Sequence, residues 1–386
     1  MLSRLATVVA VLAVSVPMPA AVSVAAATTA PPGVGAPPVT PAETGNGREL
    51  ALDFRGEAVI EKGTSYASTP VGGLSGLTYD QQRGVFYALS DDRSGFAPAR
   101  FYTLRLHVAD GRLATNDVTV TDVTFLRLPD GSTFPAGTID PEDIALTRDR
   151  RLLITSEGDA STLVDPFVRE FTLTGRQIES FPVPTPFLPT ADASSGIRNN
   201  LAFESAGVTP NGRTLFTGTE NALIQDGPLA TLDAGSPSRL LQYDIQHTRL
   251  KSQYVYRTDP VVAAPQPASG FATNGLVDLL PVGNRSLLAL ERSFSEGVGN
   301  SIRIYRVDLA GAQDVSRYDS LAGRTVREAD KALVLDLATL GITLDNVEGL
   351  AFGPVLPDGR RSLVLVSDDN FSDSQKTQVL LFALDR

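Results

Sequence analysis

Ten positions recur at corresponding points of this chain, and eight of them are carboxylates. Five short alternating segments open at Ser75, Glu142, Glu204, Asn274 and Glu348. Each is followed, after a turn rich in Gly, Pro or charged residues, by an apolar segment ending at Asp91, Glu157, Glu220, Glu291 or Asp368. Two alternating segments joined by such a turn read as a β-hairpin, and antiparallel pairing puts the start of one strand beside the end of the other. Opening and closing acids are therefore expected to be neighbours. Five hairpins around one axis would gather them into a ring.

Crowded carboxylates raise one another's pKa unless something offsets their charge. They can bind a hard cation such as Ca²⁺, which takes six to eight oxygen ligands. They can pair with arginines. Or some can stay protonated, poised for general acid–base work. Arg93 follows Asp91-Asp92, Arg198 precedes Asn199-Asn200, and Arg292 follows Glu291. Guanidinium groups suit bidentate capture of phosphate. Carboxylate-held metal beside arginines is the chemistry of a phosphoester site. The structural alternative is that these charges pair with each other, as Arg93 would with Asp92, and only tie elements together.

The elements that would hold the ring are legible from period-2 alternation. After each hairpin comes a third strand, at 101–108, 168–173, 239–245, 302–309 and 377–384. A fourth follows in the first four units, at 117–128, 176–183, 250–258 and 332–337. Four strands repeating at about 62 to 74 residues is the pattern of propeller blades. The fifth unit runs out of chain before a fourth strand, while 49–60 is a strand without a hairpin. The expected fold is thus an all-β propeller of five four-stranded blades, the last completed by the N-terminal strand, which removes exposed edges. Six blades is the alternative, with a divergent blade within 184–200 or 221–238. Turns inside hairpins are short, whereas the loops after the closing acids are long, so the acids share the face that carries the long loops. Long loops on a rigid scaffold mark a working face.

Outside the repeats, residues 1–27 read as a secretory signal, with Arg4 before an apolar run from Leu5 to Val16 and small residues around cleavage after Ala21 or Ala27. Residues 28–47, rich in Pro, Gly, Ala and Thr, read as a flexible linker, leaving 48–386 as the propeller domain. The expected location is outside the cytoplasm (extracellular or periplasmic), without a membrane anchor. The formal charge is −11, and −12 once Arg4 is removed with the signal (32 minus 44). Such acidity disfavours nucleic acid and anionic membranes as partners. There is no Cys, so neither disulfides nor a lipid-modified cysteine can occur, and zinc is disfavoured. No G-x-S-x-G elbow or P-loop occurs, and His107 and His247 fall on or just after third strands, near the short-turn face.

Gly73-Leu-Ser-Gly-Leu-Thr, Tyr87-Ala-Leu-Ser-Asp-Asp-Arg93, Pro141-Glu-Asp-Ile-Ala, Asn346-Val-Glu-Gly-Leu-Ala-Phe and Val366-Ser-Asp-Asp-Asn-Phe371, in that order, resemble the phytase-like family named for an esterase-like activity of phytase. The resemblance spans roughly residues 72–384. It implies a β-propeller and phosphoester hydrolysis with Ca²⁺. Only four lysines occur in the chain, which suits a smaller phosphoester better than phytate. The expected roles are catalytic for Glu142, Glu204 and Glu348, and metal-binding for Asp91, Asp92, Glu157, Glu220, Glu291, Asp368 and Asp369. Arg93, Arg198, Arg292, Asn200 and Asn274 would contact a small-molecule phosphoester or ester, in a monomer. A calcium-dependent lactonase or carboxylester hydrolase, and a non-enzymatic binding propeller with a structural acidic ring, are the competing expectations.

Overall fold

Apolar side chains point alternately to the two faces of nearly every strand. In 85–89, Val85, Tyr87 and Leu89 belong to one buried cluster, while Phe86 and Ala88 belong to another. A strand buried on both faces must lie in a sheet sandwiched between two others. In the computed structural model, which describes residues 50–385, that rule generates the whole fold. Five four-stranded antiparallel sheets each pack face to face on the next. One hydrophobic cluster fills each gap: blades 1 and 2, 2 and 3, 3 and 4, 4 and 5, and 5 and 1.

Blade 1 is built from Leu74–Asp80, Val85–Ser90, Arg100–Leu106 and Val118–Phe125. Blade 2 is Pro141–Leu146, Arg151–Ser156, Phe167–Thr172 and Gln177–Phe181; blade 3 is Gly207–Val208, Thr214–Gly218, Pro237–Asp244 and Arg249–Arg257. Blade 4 is Ala272–Pro281, Ser286–Ser295, Gly299–Asp308 and Asp330–Asp336. Blade 5 is Asn346–Val355, Arg361–Asp368 and Thr377–Asp385, and its outermost strand is Ala51–Ile60, paired with Thr377–Asp385. The first strand of each of blades 1 to 5 is innermost, and these five neighbour one another in a closed circle. The fold is a five-bladed β-propeller. Residues 184–200 and 221–236 form loops and one short 3₁₀ turn, Thr185–Phe187, residues 237–238 open the third strand of blade 3, and 184–200 and 221–238 hold no sixth blade. The expected signal and linker, 1–47, lie outside the described residues.

The innermost strands approach closely because small residues stand where they meet. A Cβ on Gly349 would lie 2.6 Å from the Ser75 carbonyl oxygen, and one on Gly76 would lie 2.6 Å from the Asp143 Cα. Backbone cannot yield there as a side-chain tip can, so an added methyl must push two blades apart. Gly349→Ala should therefore cost about 1–3 kcal/mol, the usual range for overpacking, read as a lower midpoint in chemical denaturation. A midpoint equal to wild type would show that the blades are not in tight contact at this level.

Candidate functional site

Each innermost strand is distorted at one and the same point. The register slips by one residue around Ser75, Glu142, Val277 and Glu348, and in blade 3 the pairing is interrupted between Phe203 and Gly207, around Glu204. Bulges re-aim side chains, and here they turn Glu142, Glu204 and Glu348 into the mouth of the channel, whereas at the corresponding point of blade 4 Val277 packs in the core between blades 4 and 5. The neighbouring strand contributes the residue whose partner lies two positions earlier. Asp91, Glu157 and Glu220 donate their N–H groups to the carbonyls of Gly73, Asp140 and Ala202. Arg292 pairs with Gly275, and Asp368 with Asn346. The ring positions are therefore Ser75, Glu142, Glu204, Val277 and Glu348 with Asp91, Glu157, Glu220, Arg292 and Asp368, and Val277 alone turns its side chain away into the core.

This register corrects the reading of blade 4, where Asn274 and Glu291 were expected. The bulge at Val277 turns Glu291 out of the mouth. Its Oε1 accepts from Tyr256 Oη and Lys331 Nζ, both at 2.5 Å, and its Oε2 accepts from the Asp259 N–H and from Asn274 Nδ2. Arg292 takes its place and stands 3.3 Å from Glu220 and 3.4 Å from Glu348. Three other expected residues serve the scaffold. Asp92 accepts from three N–H groups of its own loop and from Arg100 Nη1 at 2.6 Å, which leaves it no free face for a metal. Asp369 caps the N–H groups of Gly73 and Phe371, joining blade 5 to blade 1. Arg198 donates to the carbonyls of Ala222 and Gly227 and so pins a loop. Arg93 does reach the site, on Asp140 Oδ1 at 2.6 Å, with Asn200 Oδ1 as its second acceptor at 2.8 Å.

Asp140 was missed because it lies two residues before the opening position. One oxygen from each of Asp91, Asp140 and Glu142 falls within 4.8 Å of the others. At that separation two ionised carboxylates repel by about 3–4 kcal/mol even at an effective dielectric of 20. Eight acids (seven ring members and Asp140) face only Arg93 and Arg292, so full ionisation is untenable without another cation. Burial and neighbouring acids, Asp140 foremost, hold the Asp91 carboxyl well above the usual range. Burial and then Asp91 do the same for Glu142, burial and then Glu157 for Glu204, and burial and then Glu348 for Asp368. Burial pushes Glu157 up to about 8 and Glu220, relieved by Arg292, up to about 7. Asp91 Oδ1 and Glu157 Oε2 are buried with no hydrogen-bond donor, and the buried Arg292 Nε–H has no acceptor.

Below the ring a second acidic pair closes the channel. Asp143 and Asp278 extend from blades 2 and 4, which are not adjacent, and hydrogen-bond to each other. Their remaining oxygens accept from the N–H groups of Ile144, Ala206, Leu279 and Leu350, so four of the five blades are joined through them. Further along the same strands lies a cavity of about 540 Å³ lined by Ala145, Gly207, Leu280 and Ala351. Sequence gave one clue to this pair: an Asp follows the bulged residue in both blades, where blades 1 and 5 have Gly.

Residues 69–371 match the phytase-like family described as "esterase-like activity of phytase". The chain belongs to that family. A protein of Arthroderma benhamiae described as an "uncharacterized secreted protein" is 22% identical over 197 residues, covering 44% of this chain and 37% of that one. The chain thus matches well under half the length of that relative. Among solved structures, the catalytic domain of a Coprinopsis cinerea GH62 α-L-arabinofuranosidase gives a TM-score of 0.45 at 10% identity, over 86% of this chain and 97% of that one. The Pseudomonas aeruginosa periplasmic gluconolactonase gives 0.37 at 14% identity, over 82% and 89%. Among the described residues no helix is long and apolar enough to cross a membrane.

The raised acids set a pH dependence. Between the ordinary glutamate value of 4.5 and about 8, the folded chain keeps a proton on Glu157 that the unfolded chain has released, and Glu220 behaves alike up to about 7. The folded state then binds more protons than the unfolded, so their contribution to stability falls as pH rises through this window. In EDTA the Tm should drop from pH 5 to pH 8, and a Glu157→Gln/Glu220→Gln variant should drop less. A wild-type Tm that holds steady or climbs over that range would contradict the crowding.

Proposed function

We propose that this protein is a secreted, Ca²⁺-dependent hydrolase of small phosphoesters, with its site in the acidic mouth of the propeller. One observation carries the reading. The same buried mouth holds acceptors without donors, Asp91 Oδ1 and Glu157 Oε2, and a guanidinium N–H without an acceptor, Arg292 Nε. Unsatisfied buried polar atoms are costly, and a native site that keeps both kinds calls for a ligand of both signs. A divalent cation with a phosphate group answers both.

Asp91, Asp140 and Glu142 have the donor chemistry and spacing for a hard cation, and their crowding is relieved by one. Such an ion, when bound, polarises a phosphoryl oxygen and lowers the pKa of a bound water. The remaining work belongs to the chain. Arg292, held between Glu220 and Glu348, is positioned to bind a non-bridging phosphate oxygen, and Arg93 stands at the rim as a second donor. Glu157 and Glu204 are hydrogen-bonded to each other and hold a proton near neutral pH. From there a carboxyl group can protonate the leaving alkoxide as the P–O bond breaks, while water adds to phosphorus. Glu348 and Asn346, hydrogen-bonded at 3.0 Å, keep Arg292 from turning away. Membership of the phytase-like family supports the same chemistry. Secretion rests on the signal expected in residues 1–27 and on the description of the Arthroderma benhamiae relative.

Purified protein should hydrolyse phosphomonoesters or diesters in Ca²⁺ and lose turnover in EDTA. Asp91→Asn/Glu142→Gln should lower kcat/KM at least a hundredfold, and Arg292→Lys should mainly raise KM. Turnover unchanged in the Asp91/Glu142 variant would remove the assignment; turnover of lactones with none of phosphoesters would replace it with the carboxylester alternative.

A further inference from the structure

Phe96 is 67% exposed, the most exposed of the large apolar side chains in the described residues. It is not a loose surface residue. Asp92 accepts from the N–H groups of Gly95, Phe96 and Ala97, and is itself fixed by the buried Arg100, so the loop that carries the ring is rigid. One face of Phe96 stacks on Phe371, with centroids 4.4 Å apart and planes 29° apart. Beneath Phe371 lies the Arg100 guanidinium, 6.0 Å from its centroid. The three form a stack with a buried cation at the base and an open aromatic face at the top.

The stack is placed beside the acidic mouth at a cost. Phe371 has a φ of 50° and Asn370 one of 47°, in the left-handed region that ordinary side chains avoid. The ring also needs a glycine: at Gly73 a Cβ would lie 2.6 Å from Phe371 and 3.0 Å from the Asp91 carbonyl oxygen. The same point is thus in contact with both the stack and the backbone of a ring carboxylate. The turn is held by Asp368 and Asp369, which accept from the N–H groups of Asn370 and Phe371, so the ring is fixed at the edge of the site. An aromatic face beside a charged centre accepts a flat π-system.

We infer that Phe96 is the stacking subsite for the alcohol side of the substrate, which is an aryl or heteroaryl phosphoester. The inference rests on the proposed reading in one respect, that the phosphoryl group sits in the acidic mouth. The phosphate would then be held at Arg292 and the calcium-binding acids while the flat ring lies on Phe96. A saturated ring gains apolar contact there but no stacking, so flatness is the property selected.

The test measures binding, in Ca²⁺, of phenylphosphonate, cyclohexylphosphonate and methylphosphonate by NMR titration to wild type, Phe96→Ala, Phe96→Trp and Phe271→Ala. Phe271 is another exposed aromatic, paired with Phe294 above blade 4. Wild type should bind the phenyl compound about tenfold more tightly than the cyclohexyl and methyl ones. Phe96→Ala should lose that preference, and Phe96→Trp and Phe271→Ala should keep it. No binding of any phosphonate, equal binding of phenyl and cyclohexyl, persistence of the preference in Phe96→Ala, or its loss in Phe271→Ala alone would overturn the inference. Turnover in the same proteins separates it from the hydrolase reading. A phenyl preference without hydrolysis leaves the subsite and removes the enzyme; hydrolysis without the preference does the reverse.

Discussion

Mutual repulsion among buried carboxylates is the constraint on which the rest of this structure turns. Eight acids converge on a channel mouth with two arginines to face them, and burial alone would already favour the neutral form of each. A protein gains no stability from such an arrangement. It must be held by something stronger, and the five interblade clusters supply that. Aliphatic and aromatic side chains fill both faces of nearly every blade, and buried ion pairs such as Arg239 with Asp226, 2.6 Å apart, lock the outer loops. The scaffold is rigid enough to keep the acids together, and the acids in turn retain protons that carboxylates ordinarily release.

Irregularity in the sheets decides which residues face the mouth. A regular strand would send alternate side chains into the neighbouring blades. The bulge in each innermost strand breaks that alternation where the blades meet, so that Glu142 and Asp143 both leave the interblade core, while in blade 4 Val277 stays in it and Asp278 leaves. Glu142 sits in the ring; Asp143 and Asp278 go deeper, where they meet across the axis. Two chemically distinct levels thus come from one repeated distortion. The upper level keeps unsatisfied polar atoms on Asp91, Glu157 and Arg292, while the lower is satisfied by backbone N–H groups and a shared proton.

Much of this was legible because period-2 alternation is a strong signal when both faces of a strand are buried. The hairpins, the third strands and four blades with their own fourth strand follow from it, as does the pairing of 51–60 with 377–385 once the last blade is seen to lack a strand. Bulges are where the reading slipped. Counting alternation back from the acid at 291 selects Asn274, and nothing in Leu-Val-Asp-Leu announces that Val277 is the residue pushed out of register. The error exchanged an acid for Arg292 in the ring and so concealed the one basic member. Asp92, Asp369 and Arg198 were indistinguishable in sequence from site residues, because a loop cap and a ligand use the same side chains. Only the hydrogen bonds they make separate the two uses. In blade 3 the innermost strand shrinks to Gly207–Val208, since Glu204–Ala206 bows out of the ladder.

The central claim is that the acids at the mouth await a divalent cation, and its binding must expel the protons that crowding retains. Calorimetric titration with Ca²⁺ at pH 7, repeated in buffers of different ionisation enthalpy, counts those protons directly. The account predicts binding with release of at least one proton per ion, and loss of both in Asp91→Asn/Glu142→Gln. Absence of binding, or binding with no proton released, would contradict it.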